Sequence, residues 1–281
     1  MSFIHWRFIR KKRLWHCLVF LLLCISVSQF SNAQAPLITQ SLGKIDQNSQ
    51  KFSFAIFGDN RSATAVFEEL VAQINQDKPD FAVSLGDMVQ EGRQALYDVF
   101  LQQLARLNAP LISVIGNHEL RLNGLSLYQQ LFGPPYYSFK VGHSYFIVLD
   151  NANQKNLDLP QMKWLTGELE KSQAFRQRFV LMHVPLYDPR SGAKGLGHSM
   201  ADLSFAKELN DLFDQHQVTM VFASHVHGYY QGKWQQTPFI ISGGAGAHLH
   251  GRDTKHFFYH YLLISVNNDE VTYQIRRLDP R

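Results

Sequence analysis

From Lys51 onward, short apolar runs alternate with segments whose apolar residues recur every three or four positions, the pattern of an α/β domain. The run Lys51–Phe57 alternates and stops at Gly58-Asp59-Asn60-Arg61. Ser62 is then placed to cap a helix over about 63–75, with Val66, Phe67, Leu70, Val71 and Ile74 on one stripe. Residues 81–85 form an apolar strand ending at Gly86-Asp87, and a helix over about 94–106 leads to a strand over 111–115, which ends at Gly116-Asn117-His118-Glu119. Residues 136–141 and 144–149 read as a hairpin around Gly142-His143. A helix near 160–172 precedes a strand over 178–182 that ends at His183. Another, over about 202–215, precedes a strand over 218–223 that ends at Ser224-His225-Val226-His227. The remainder is strand-rich, with runs at 239–242, 259–266 and 270–276. No linker divides residues 51–281, residues 34–50 read as a flexible lead-in, and the Gly- and Ser-rich stretch 185–199 reads as a mobile loop over a site.

Most of these turns are ordinary alone: an Asp after a strand is usually a turn or capping residue, and a lone His at a strand end is as often a core residue as a ligand, whereas a plain turn does not call for the whole run Gly116-Asn117-His118-Glu119. Together they are not ordinary. Five of the predicted strands end in Asp59, Asp87, Asn117, His183 and the pair His225 and His227. In open α/β sheets the C-terminal strand ends converge on one edge, where ligands bind. Carboxylates mixed with imidazoles suit Zn, Mn or Fe, and a carboxylate is able to bridge two ions. Two such ions clamp a phosphoryl group and activate water without a protein nucleophile. No Gly-x-Ser-x-Gly elbow and no Gly-rich Lys-Ser/Thr phosphate loop is present, which removes the signatures of two rival hydrolytic classes.

In order and spacing, Gly58-Asp59, Gly86-Asp87, Gly116-Asn117-His118-Glu119, His183 and His225-Val226-His227 resemble the calcineurin-like metallophosphoesterase superfamily, including its purple acid phosphatase branch. The resemblance spans roughly residues 51–276, and Phe132-Gly133, Tyr136-Tyr137-Ser138-Phe139, Leu149-Asp150 and Trp164-Leu165 add to it. It implies a four-layer α/β/β/α sandwich of two mixed β-sheets, with a centre of two divalent or trivalent ions (Mn, Fe or Zn) at the strand ends. By the same resemblance Asp59, Asp87 and His227 hold one ion, and Asp87 bridges to a second held by Asn117, His183 and His225. It also implies attack by a metal-bridging hydroxide on a small-molecule phosphate ester, with His118 contacting the phosphate or protonating the leaving oxygen.

Three positions depart from the superfamily pattern. Arg61 stands where a metal-binding His is usual, and a guanidinium has no lone pair to give. It fits a grip on a phosphate oxygen, a salt bridge to Asp59 or a plain surface position. Gln90 is neither the Tyr of the purple branch nor the Asp that orients the catalytic His in other relatives, and Ser224 replaces a Gly. The Arg61 and Gln90 departures define the competing expectation, a catalytically weakened protein that binds a phosphate ligand or a partner, whereas the Ser224 departure is expected to be harmless. The glycine-rich run 243–247, followed by His248 and His250, fits a flexible loop and equally a turn that presents backbone amides or a substrate-contacting His beside the site; the loop 188–199, with Arg190, Lys194 and His198, reads by default as a solvated surface loop, with substrate selection as the alternative.

Charge alters the picture in one respect. The chain carries a net charge of +4, yet Arg7, Arg10, Lys11, Lys12 and Arg13 precede any acidic residue. Setting those five aside leaves 22 basic residues against 23 acidic ones, so no nucleic-acid partner is expected. The basic cluster, the apolar run to Phe30 and Ser31-Asn32-Ala33 read as a signal peptide over 1–33, with an uncleaved anchor as the alternative and no further membrane segment. An exported, periplasmic or secreted location is thus expected. Both cysteines, Cys17 and Cys24, lie in that leader, so thiolate chemistry is absent from residues 34–281.

Overall fold

The computed structural model describes residues 35–190 and 197–279; the leader with Cys17 and Cys24, and Lys194 of the loop, lie outside the described residues. In chain order the elements are α1 (Leu37–Leu42), β1 (Lys51–Phe57), α2 (Ala65–Asp77), β2 (Phe81–Ser84), α3 (Gln94–Leu104), β3 (Leu111–Ser113), α4 (Leu125–Leu131), β4 (Tyr137–Val141), β5 (Ser144–Val148), α5 (Leu159–Ser172), β6 (Gln177–Leu181), α6 (Leu203–Gln215), β7 (Met220–Ala223), β8 (Tyr229–Trp234), β9 (Thr237–Ser242), β10 (His260–Asn267) and β11 (Glu270–Arg277). They build two sheets, ordered β11-β10-β1-β2-β3 and β4-β5-β6-β7-β9-β8. The centre of each is parallel, β1-β2-β3 in one and β5-β6-β7-β9 in the other, and antiparallel strands complete the edges.

Period-two alternation explains how the sheets stack, since successive side chains of a strand face opposite sides. Phe52, Phe54 and Ile56 of β1, Phe81 and Val83 of β2, Phe179 and Leu181 of β6 and Phe222 of β7 share one inner core. Their intervening neighbours face outward: Ala55, Phe57 and Ala82 pack on α2, α3 and α4, while Val180, Val221 and Ala223 pack on α5 and α6. Both faces of the central strands are therefore buried, as near-continuous apolar runs require. The result is a four-layer α/β/β/α sandwich with two mixed sheets. At its middle, Phe54 meets Phe81 at 5.0 Å, Phe146 at 5.5 Å and Phe179 at 5.8 Å between ring centroids, so one residue of the first sheet touches its own sheet and the facing one.

Two expectations need correction. The flexible lead-in expected over 34–50 carries α1 in its described part, and Ile38 and Ile45 are buried in the inner core. Ser62 does not cap α2. That helix starts at Ala65, and Ser62 sits in left-handed backbone (φ 62°) with its amide donated to the Met88 carbonyl at 3.1 Å. The turn after β1 is committed to pairing with the turn after β2, which outweighs the local capping preference. Asp202 and Asp158 do cap, accepting from Phe205 N and Gln161 N at 3.1 and 2.8 Å. Among the described residues no helix is long and apolar enough to cross a membrane.

Candidate metal centre

The turns after β1, β2, β3, β6 and β7 meet at one edge of the sandwich, and their backbone is strained there. Asp59, Arg61, Asp87 and His225 all adopt positive φ, at 59°, 44°, 53° and 65°. Non-glycine residues in this region cost energy and persist where the surroundings over-determine them. The surroundings do so through cross-turn bonds: Asp59 N donates to Gly86 O at 3.1 Å, Arg61 N to Asp87 O at 2.9 Å and Ser224 N to His183 O at 2.8 Å. Gly86 itself has φ 94°, and a Cβ there or at Gly116 would overlap the backbone of the neighbouring turn. Buried Glu119 draws the second and third turns together by accepting from Asp87 N at 2.8 Å, Gly116 N at 2.7 Å and Val89 N at 3.2 Å. Burial, with Asp87 nearby, pushes the Glu119 carboxyl up to about 8.

All the metal-ligand candidates gather at this edge. Ligand atoms of Asp87, His183 and His225 lie within 4.8 Å of one another, as do those of Asp59, Asp87 and His227, so Asp87 belongs to both groups. Asn117 Oδ1 joins the first group at 3.0 Å from His183 Nε2, which is also 3.1 Å from His225 Nδ1 and 3.3 Å from Asp87 Oδ1. His227 Nε2 lies 3.9 Å from Asp59 Oδ1. Metal–ligand distances of about 2.1 Å place neighbouring ligand atoms roughly 3 Å apart or somewhat more, which these separations match.

The hydrogen bonding indicates a cation. His183 Nδ1 lies 2.8 Å from the Leu85 carbonyl and His227 Nδ1 lies 2.7 Å from the His248 carbonyl, so each neutral ring must donate there and keeps its Nε2 lone pair for the site. Burial holds His183 and His227 below the ordinary imidazole range, His227 at about 3, so both rings are neutral. Two lone pairs, of His183 Nε2 and Asn117 Oδ1, thus face each other at hydrogen-bond distance, and a shared cation is what reconciles them. Asp59 Oδ1 and His227 Nε2 are buried with no hydrogen-bond partner among the described residues. Burial and the Asp87 charge push Asp59 well up, and a cation relieves both. The residues therefore fit two ions.

Asp87 behaves oppositely. Burial alone would raise it, but the Arg61 guanidinium and the hydrogen bond from the His118 amide hold it well below the carboxylate range. Arg61 supplies the closest cation, donating Nε and Nη2 to Asp87 Oδ2 at 3.1 and 2.9 Å. The salt bridge expected with Asp59 is thus made with Asp87. His118 lies at the rim, its Nε2 3.7 Å from Asp87 Oδ2 and its Nδ1 2.6 Å from the Gln90 carbonyl. The missing Asp at position 90 is replaced by the backbone carbonyl of the same residue. Ser224 is not neutral either, since its hydroxyl donates to Asp59 Oδ2 at 2.5 Å. Its departure from Gly was the signal of that role. In the glycine-rich run, the amides of Ala245 and Ala247 are not presented to the site but spent on the Gly58 and Asp59 carbonyls at 3.1 and 2.7 Å. A cavity of about 470 Å³ opens above, lined by Arg61, His118, Arg121, Gln154, His198 and His250 among others. Asp188 fixes part of that wall, pairing with Arg190 at 2.8 Å and accepting from His198 N at 2.8 Å.

This fold and site define a metallophosphoesterase. The family model for calcineurin-like phosphoesterases matches residues 52–229, and the chain belongs to that family. The serine/threonine-protein phosphatase CPPED1 of Bos taurus is 29% identical over 234 residues, covering 75% of this chain and 72% of that protein. The probable purple acid phosphatase 20 of Arabidopsis thaliana is 28% identical over 190 residues, covering 58% of this chain and 44% of that one. The purple acid phosphatase PPD1 from yellow lupin, Lupinus luteus, superposes with a TM-score of 0.63 at 18% identity, over 82% of this chain and 52% of that one. The protein is accordingly a metal-dependent phosphoric ester hydrolase, and its fold implies a dinuclear metal centre.

Proposed function

We propose that this protein hydrolyses phosphate esters of small molecules outside the cytoplasm, with one ion on Asp59, Asp87 and His227 and a second on Asp87, Asn117, His183 and His225. The observation that carries the reading is the pair of buried ligand groups sharing Asp87. Ions bound there supply positive charge against the phosphoryl oxygens and a nucleophile drawn from water. The chain's own residues do the rest. Asp87 would be shared by both ions, and Ser224 fixes the Asp59 carboxylate through its hydroxyl. Arg61, half-buried at the cavity wall, pairs its planar fork with the phosphate oxygens. His118 gives Nδ1–H to the Gln90 carbonyl, so its Nε2 is the exchanging atom: it takes a proton from solvent as the dianion enters, passes it to the leaving oxygen and returns to the neutral ring. The cavity volume lies within the range of small-molecule sites, and the basic, apolar leader supports an exported location.

The test is hydrolysis of an aryl phosphate monoester and the matching diester by purified protein, stripped of metal and reloaded with Mn, Zn or Fe. Turnover restored by metal is expected, with the monoester-to-diester ratio directing substrate screens. A folded, metal-loaded protein that cleaves neither ester overturns the reading.

A further inference from the structure

The two ligand groups differ by one guanidinium. Arg61 is anchored through its own amide to the Asp87 carbonyl at 2.9 Å, which sets its side chain beside the Asp87 carboxylate. Both Nε and Nη2 point at one oxygen, Oδ2. The other oxygen, Oδ1, accepts from His118 N at 3.0 Å and lies 3.3 Å from His183 Nε2, on the side of Asn117 and His225. The shared carboxylate thus turns one oxygen to the His183 side and gives the other to Arg61. An ion held by Asp59, Asp87 and His227 would share the Asp87 carboxylate with the guanidinium.

Charge points the same way. Asp59 and Asp87 bring two negative charges and Arg61 returns one, so a first divalent ion already leaves the centre net positive. No Asp or Glu is among the described residues lining the cavity, and Arg121 adds a further cation at its wall. A second divalent ion therefore enters against positive charge until an anion arrives. A phosphate dianion offers that charge, and it also competes for the guanidinium, which pairs with phosphate in the same forked geometry as with carboxylate. Arg61 has room to make the exchange, since its side chain is 21% exposed and lines the cavity.

We propose that Arg61 makes metal loading sequential and coupled to phosphate. One ion binds firmly on Asp87, Asn117, His183 and His225, and the second settles on Asp59, Asp87 and His227 as the guanidinium leaves Asp87 Oδ2 for the phosphate oxygens. The inference rests on the two-ion reading above. Linkage makes it reciprocal: phosphate tightens the second ion by the same factor by which that ion tightens phosphate.

The test is titration of metal-stripped, full-length protein with Mn²⁺, followed by calorimetry and by bound metal per chain, with and without inorganic phosphate. The wild type is expected to show one tight ion and a second weaker by roughly tenfold or more, with phosphate tightening the second by about tenfold, within the usual span of coupling between sites. In Arg61→Ala the second ion should tighten without phosphate and the effect of phosphate should shrink to a few-fold. Arg61→Gln, which keeps most of the bulk and loses the charge, gives the same reading if the alanine variant fails to fold. Two ions of equal affinity in the wild type, or an unchanged gap in both variants, overturns the inference while leaving the two-ion centre intact. A folded wild type that binds no Mn²⁺ at all instead sinks the two-ion centre itself.

Discussion

The two sheets furnish the centre with different chemistry. Strands β1, β2 and β3 lead into Asp59, Asp87 and Asn117, all oxygen donors, whereas β6 and β7 lead into His183, His225 and His227, all imidazoles. The supporting bonds differ as well. The oxygen side is held by strained turns and by Glu119 binding three amides, while His183 is oriented by the Leu85 carbonyl of the facing sheet. Neither sheet alone supplies either group of candidate ligands, so both groups form only where the sandwich closes. The molecule is thus tied twice across its middle layers, by phenylalanine packing inside and by metal ligands at the edge, and the two ties should be separable by mutation.

Cutting the edge tie should give the largest effect. Asp87→Asn removes the shared carboxylate, and kcat/KM should fall by about a thousandfold or more, roughly 4 kcal/mol, since loss of a single charge-stabilising group already costs about 10²–10³. Near-normal turnover would show that the sheets do not cooperate through Asp87. Cutting the inner tie should spare the chemistry. Phe54→Ala opens a cavity between the sheets and should lower unfolding stability by about 3–4 kcal/mol in denaturant melts, with kcat nearly unchanged in the folded fraction.

A third test separates the first sheet's packing from its metal edge by pH. His260 of β10 is fully buried, and burial holds it down at about 4, against an ordinary value near 6.5. Its folded value lies below its unfolded one, so unfolding takes up a proton. Stability contributed by neutral His260 is present above pH 6.5 and is lost as pH falls toward 4, by about 3 kcal/mol in all. Replacing it with Gln, which keeps a partner for Ser242, should flatten that part of the stability–pH curve; an unchanged slope between pH 6.5 and 4 would assign the acid sensitivity elsewhere. The smallest effect should come from Ser224→Ala. Losing a hydrogen bond to a charged group costs about 1.5 kcal/mol, so the ion on the Asp59 side should bind about tenfold more weakly in metal titrations while the other is unmoved. Equal weakening of both ions would mean that Ser224 supports the turn and not Asp59.

Much of the architecture was readable in advance, because period-two strands and 3.6-period helices are local patterns that survive into the fold. What failed did so where tertiary contacts overrode local preference. Ser62 has a capping residue's chemistry, yet its amide is claimed by the Met88 carbonyl, 26 residues away, through Arg61 and Asp87 pairing alongside. Residues 34–50 carry too few apolar residues to signal a packed segment, yet Ile38 and Ile45 are buried in the inner core. The strand β8 was hidden because its middle, Gln231-Gly232-Lys233, is exposed and polar.

The residue types at the strand ends were enough to identify metal chemistry, since carboxylate, amide and imidazole donors are a property of composition and order. Which of them meet was another matter. That Arg61 binds Asp87 and not Asp59, that the Gln90 carbonyl orients His118, and that Ser224 serves Asp59 from 165 residues away all depend on how two sheets and their turns interlock. Such bonds are decided at the scale of an ångström by backbone positions distant in sequence, and no local pattern encodes that distance.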